Sequence, residues 1–116
     1  MLTALIDYES GNLHSALKAF EKISSENSLG SVTITNDPEI ISNADRLVLP
    51  GDGAFPACKA ALEKSEVFEA LKHAVLAKRR PFLGICVGMQ LMAKKGFEFE
   101  PTNGLNWING QVERIQ

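Results

Sequence analysis

Apolar positions along the chain switch between two spacings. Short near-continuous runs, Thr3 to Ile6, Val32 to Thr35, Arg46 to Leu49 and Phe82 to Ile85, read as strands buried on both sides. Between them the apolar residues recur every three or four positions. Leu13, Ala16, Leu17, Phe20 and Ile23 make one such stripe, with Asn12 placed to cap the helix. Ser24 to Gly30 reads as polar loop. Ile40 and Ile41 fall in a brief turn or helical piece opened by Asn36-Asp37-Pro38. A longer helical region follows Pro50-Gly51-Asp52-Gly53 and breaks near Lys64-Ser65, with Leu62, Val67, Phe68, Leu71, Val75 and Leu76 inward. After the fourth strand, Met89 to Lys95 has helical character and Gly96 to Asn106 is irregular. Trp107-Ile108 and Gln111 to Ile115 predict a hairpin around Asn109-Gly110.

Strands alternating with helices imply an α/β fold: a mostly parallel sheet with helices on both faces and a flavodoxin-like core. Ligands of such sheets bind outside the carboxyl ends of the strands. Three turns follow carboxyl ends here: Asp7 to Asn12, Pro50 to Gly53, and the corner at Cys86. A 2-1-3-4 strand order brings all three to one crevice.

The corner is the most informative stretch. In Leu83-Gly84-Ile85-Cys86-Val87-Gly88-Met89-Gln90, an apolar run ends at a cysteine flanked two residues away on each side by glycine, and a helix begins at once. That is the pattern of a strand turning sharply into a helix with a nucleophile at the tip. The glycines leave room where the backbone passes close to the nucleophile. The helix N-terminus beneath the sulfur favours thiolate. The competing reading is a core cysteine, since cysteine is among the most buried residue types; the paired glycines favour the nucleophile.

Pro50-Gly51-Asp52-Gly53-Ala54-Phe55 is a glycine-rich turn before a helix, whose N–H groups suit an anion. It lacks the spacing and the Lys-Ser/Thr end of a Walker loop. A tetrahedral intermediate at Cys86 needs two donors for its oxyanion. The N–H of Val87 and a peptide N–H from Gly51, Asp52 or Gly53 are the candidates.

Composition narrows the field. The chain has 116 residues and a formal net charge of −2, which argues against nucleic acid or an anionic membrane as partner. No apolar run approaches the roughly 20 residues of a membrane span, and Met1 to Asp7 reads as a strand rather than a signal peptide. Cys58 and Cys86 suggest neither a disulfide framework nor, with His14 and His73, a metal site. A reducing cytoplasm is expected.

Taken together, Leu47 to Phe55 and Leu83 to Gln90 resemble the class I, triad-type glutamine amidotransferases. Ile6-Asp7-Tyr8, Gly11-Asn12-Leu13, Asn36-Asp37-Pro38 and Ala44-Asp45-Arg46 resemble the glutaminase subunits of imidazole glycerol phosphate synthases within that family. The resemblance spans nearly the whole chain. It implies that Cys86 attacks the side-chain amide of glutamine, without a cofactor, and releases ammonia to a cyclase subunit. It also implies that Gln90 and Glu98 contact the substrate and that Asn12 lies near the cyclase interface. The bland roles are an exposed helix glutamine for Gln90 and a helix cap for Asn12.

Two departures from the family pattern concern loops. Glu9 stands where the family has glycine, and strains the loop if that position needs positive φ. Asp52 replaces valine, and its side chain is expected to face solvent or a partner. A third is larger. The family's downstream Phe-His-Pro-Glu segment has no counterpart, and His14 and His73 do not match its base. The chain is therefore expected to be a single partial amidotransferase domain, 1–116, with its C-terminal part missing, an unpaired sheet edge and severely deficient turnover alone. The alternatives are a non-catalytic docking module, another cysteine-elbow α/β protein of the protease-like kind, and a flavodoxin-like phosphate or nucleotide binder.

Overall fold

The computed structural model of the chain describes residues 1–115. Its elements are β1 (Leu2–Ile6), α1 (Leu13–Glu26), β2 (Ser31–Thr35), α2 (Pro38–Asn43), β3 (Arg46–Gly51), α3 (Phe55–Lys64), α4 (Phe68–Lys72), β4 (Phe82–Cys86), α5 (Val87–Gln90), β5 (Ala93–Gly96), β6 (Thr102–Asn103) and β7 (Ile108–Val112). The first four strands form an all-parallel sheet in the order β2-β1-β3-β4. The expected α/β architecture and strand order are both present.

The register divides the sheet into two faces. Ala4 pairs with Leu47 and Leu47 with Phe82, so these side chains point the same way. With Ile6, Leu49 and Tyr8 they pack against Ile41, Phe55, Leu62, Leu71 and Val87 in the main core. Leu5, Val48 and Leu83 pair along the opposite face. There Phe20 of α1 shares a groove with Thr3, Val48 and Leu83. Helices thus lie on both faces, as right-handed crossovers require for this order. Cover on the α1 face is incomplete: Leu5 is sealed, whereas Leu83 on the edge strand is 49% exposed.

Caps fall where the sequence places them. Asn12 Oδ1 accepts from Ser15 N at 3.3 Å, and Asp37 Oδ1 accepts from Glu39 N at 2.9 Å with Pro38 at the first helical position. α3 ends at Lys64, as expected.

Five local expectations are corrected. First, α1 runs on to Glu26, so Ser24 is not loop; it is buried, and its hydroxyl donates to Gly30 O at 2.7 Å. Second, Leu76 faces outward, 53% exposed. After α4 the helix widens over His73–Ala77, with Lys78 N bonding back to His73 O. That i→i+5 turn shifts the helical phase and rotates Leu76 off the core.

Third, the helix after Cys86 stops at Gln90, and β5 replaces its expected continuation to Lys95. Fourth, Gly96 to Asn106 is not wholly irregular, because β6 pairs antiparallel with β5. Fifth, Asn109-Gly110 is not a hairpin turn. It lies inside β7, which runs parallel to β5 across an irregular register. Backbone bonds from Trp107 and Ile108 to Met92 O help anchor that alignment, and tertiary pairing overrides the local turn signal. The second sheet therefore has the order β6-β5-β7.

Candidate active site

The carboxyl ends of β1, β3 and β4 lie side by side. Gly51 at the end of β3 pairs with Cys86 at the end of β4. Cys86 has φ 58° and ψ −121°, a backbone conformation that non-glycine residues rarely adopt. Its thiol is free and exposed, whereas Cys58 is free and buried.

Close backbone packing fixes the corner. A Cβ on Gly88 would stand 1.9 Å from Leu49 O, and one on Gly84 would stand 2.7 Å from Met89 Cα. A Cβ on Gly51 would meet Gly88 N at 2.5 Å. The end of β3 thus lies directly on the start of α5, and a side chain at either glycine would push the sulfur out of place. α5 is four residues long, so the dipole beneath the thiol is that of one turn.

Tyr8 supports this junction from beneath. It is 2% exposed, and its hydroxyl donates to Pro50 O at 2.5 Å. Burial, foremost, pushes its pKa far above the ordinary phenol value, so the hydroxyl stays protonated and remains a donor. The following loop residue, Asp52, has an exposed side chain, as expected. Its N–H donates to Ser10 Oγ at 3.0 Å. Glu9 adopts φ 68° and Gly11 φ 97°, so the β1–α1 loop does require positive φ at the position where glutamate replaces glycine.

Gln90, one turn past Cys86, shares a cavity of about 480 Å³ with Glu98, Phe97, Val112 and Arg114. Glu98 Oε1 accepts from Phe55 N at 2.6 Å, at the first residue of α3, where the cap residue Ala54 has no side-chain acceptor to offer. Its second oxygen has no hydrogen bond to another side chain or backbone group. Asn12 is exposed at the same end of the sheet. His14 and His73 are exposed, on α1 and on the wide turn, and neither lines this cavity.

The residues that sequence reasoning missed are Tyr8, Ser10 and Cys58, which hold the Pro50–Gly53 loop from behind. Only their tertiary contacts reveal them; nothing in their local pattern does. Among the described residues no cluster of His, Cys, Asp and Glu is placed to hold a metal, and no helix is long and apolar enough to cross a membrane.

Comparison with known proteins places this geometry. The family model described as "Glutamine amidotransferase class-I" matches residues 4–98. The chain is 60% identical over 116 residues to a protein of Ruegeria pomeroyi named "Imidazole glycerol phosphate synthase subunit HisH", covering 99% of this chain and 55% of the relative. Proteins of the same name from Cereibacter sphaeroides and Caulobacter vibrioides are 55% and 49% identical over 99% and 97% of this chain, and over 55% and 54% of their own lengths. The chain spans about half the length of the curated relatives it matches. Both the residues matched and the cysteine corner they contain establish that this chain belongs to the class-I glutamine amidotransferase family.

Proposed function

We propose that this chain forms the nucleophile-bearing part of a glutaminase, organised as a single amidotransferase unit across residues 1–116. The observation that carries the reading is the exposed Cys86 thiol, held at positive φ on a corner whose glycines admit no side chain. Cys86 Sγ bonds to the side-chain amide carbon of glutamine. The C–N bond breaks, ammonia leaves with the thiol's proton, and a glutamyl thioester remains. Water then cleaves the thioester to glutamate.

The N–H of Val87 and one from the Gly51–Gly53 loop serve the oxyanion. Gln90 and the unbonded Glu98 oxygen serve the amino-acid end of the substrate. The cavity they line contains no histidine, so the reading assigns the proton-transferring base to the portion of the relatives' length that this chain does not span.

The relatives' name makes each a subunit of imidazole glycerol phosphate synthase. By extension, the ammonia passes to a cyclase subunit docked near Asn12, in cytoplasmic histidine biosynthesis. The absence of a histidine at the cavity also favours a second reading, a non-catalytic docking module. Covalent labelling with a diazoketone analogue of glutamine separates the two. Modification of Cys86, suppressed by free glutamine, is expected. Labelling that glutamine leaves unchanged, or that an amino-acid-free diazoketone matches, overturns the glutaminase reading.

A further inference from the structure

One hydroxyl holds Asp52 from two sides. The Asp52 N–H donates to Ser10 Oγ at 3.0 Å, and the Asp52 carbonyl accepts from the same hydroxyl at 3.1 Å. The Cys58 thiol donates to that carbonyl at 3.2 Å and lies 3.1 Å from Ser10 Oγ. A serine hydroxyl can make both bonds to Asp52 together, since it carries one proton and two lone pairs. Three segments therefore meet one residue beyond the Gly51–Cys86 pair: the β1–α1 loop, the β3–α3 loop and the first turn of α3.

Two features fix this contact. Glu9 at φ 68° and Gly11 at φ 97° flank Ser10, so the loop is bent on both sides of it. Cys58 is 2% exposed, and its sulfur is a fixed wall behind the hydroxyl. A donor stabilises an oxyanion by being oriented and unshared when charge develops. The Asp52 N–H is oriented, but it already has an acceptor.

We propose that Ser10 is a positioning residue that catches the Asp52 N–H and withholds it from chemistry at Cys86, with Cys58 bracing the catch from α3. This rests on the glutaminase reading, in which the loop after β3 supplies an oxyanion donor. The β1–α1 loop is then the control element: a shift that withdraws Ser10 frees the N–H.

The test compares two reactions of Cys86 in this chain. Iodoacetamide alkylates the thiol by displacement at a CH₂ group, losing iodide and the thiol proton, and forms no oxyanion. The γ-p-nitrophenyl ester of glutamate acylates it through a tetrahedral oxyanion: the S–C bond forms, the C–O bond breaks, p-nitrophenolate leaves, and the thiol proton goes to solvent. Peptide mass spectrometry assigns each adduct to Cys86 or Cys58. In Ser10→Ala the ratio of acylation to alkylation rates is expected to rise about three- to tenfold, the worth of one hydrogen bond released from competition. Ser10→Thr keeps the hydroxyl and is expected to keep the wild-type ratio.

A ratio that stays level or falls in Ser10→Ala overturns the catch. So does a rise that Ser10→Thr reproduces. A general loosening of the fold moves alkylation as well as acylation and does not mimic the result. If the wild-type chain is alkylated but not acylated, acylation of Ser10→Ala alone supports the catch. Acylation of neither overturns the catch and the nucleophile assignment together. Acylation that shows no preference for the glutamyl ester over acetyl p-nitrophenyl ester counts against the substrate alone.

Discussion

Glu98 caps a helix that begins 43 residues before it: its Oε1 accepts from the backbone N–H of Phe55 at 2.6 Å. The contact binds the small sheet to α3, and Lys59 reinforces it by donating to Asn103 O at 2.9 Å. A carboxylate at a helix N-terminus satisfies an orphan N–H and the positive end of the dipole together. Glu98→Ala is expected to lower unfolding free energy by about 1–2 kcal/mol, with Glu98→Gln losing less, as read from urea denaturation. Equal stability of all three chains would show that the cap contributes nothing.

The conformation of Cys86 has a stability consequence that is independent of its chemistry. A side chain at φ 58° and ψ −121° is strained, by about 1–3 kcal/mol. Glycine relieves that strain, and its greater unfolded-state entropy offsets part of the gain. Cys86→Gly is therefore expected to be more stable than Cys86→Ala by about 1 kcal/mol. Thermal denaturation of the two variants side by side decides it; Cys86→Ala being the more stable would contradict the strained corner.

Tyr8 predicts an alkaline limit to stability. Burial raises its folded-state pKa above the ordinary value of 10.0. The folded chain therefore holds the proton more tightly than the unfolded chain. Tyr8's contribution is complete below about pH 10 and falls above it, by about 1.4 kcal/mol per pH unit, until the folded-state pKa is reached. Tyr8→Phe is expected to lose stability at pH 7, because Pro50 O loses its donor, and to show a shallower decline between pH 10 and 11. An unchanged alkaline slope in Tyr8→Phe would remove Tyr8 as its source.

The sequence made the parallel sheet legible because β1, β3 and their helices obey local rules: apolar runs, Asn12 and Asp37 at caps, and glycines at the corner. The second sheet was not legible. Ala93-Lys94-Lys95-Gly96 has no strand composition, and its extended form depends on pairing with residues 102–103 and 108–112. Asn109-Gly110 is a strong local turn signal overruled by the same pairing. Leu76 was misassigned because one wide turn displaces a periodicity that assumes 3.6 residues throughout. At the site, Cys86 and Gly51 are neighbours by register alone and could be anticipated. The hold of Ser10 and Cys58 on Asp52 could not, because it depends on the bend at Glu9 and Gly11 rather than on any spacing.

Because β4 is the outermost strand of its sheet, the sulfur stands on a flank of the folded body instead of at the bottom of a well. Small thiol-seeking reagents meet little sieving on that side. Whatever polypeptide comes to lie along Phe82–Cys86 would supply the missing wall, and with it the choice of which molecules reach the nucleophile.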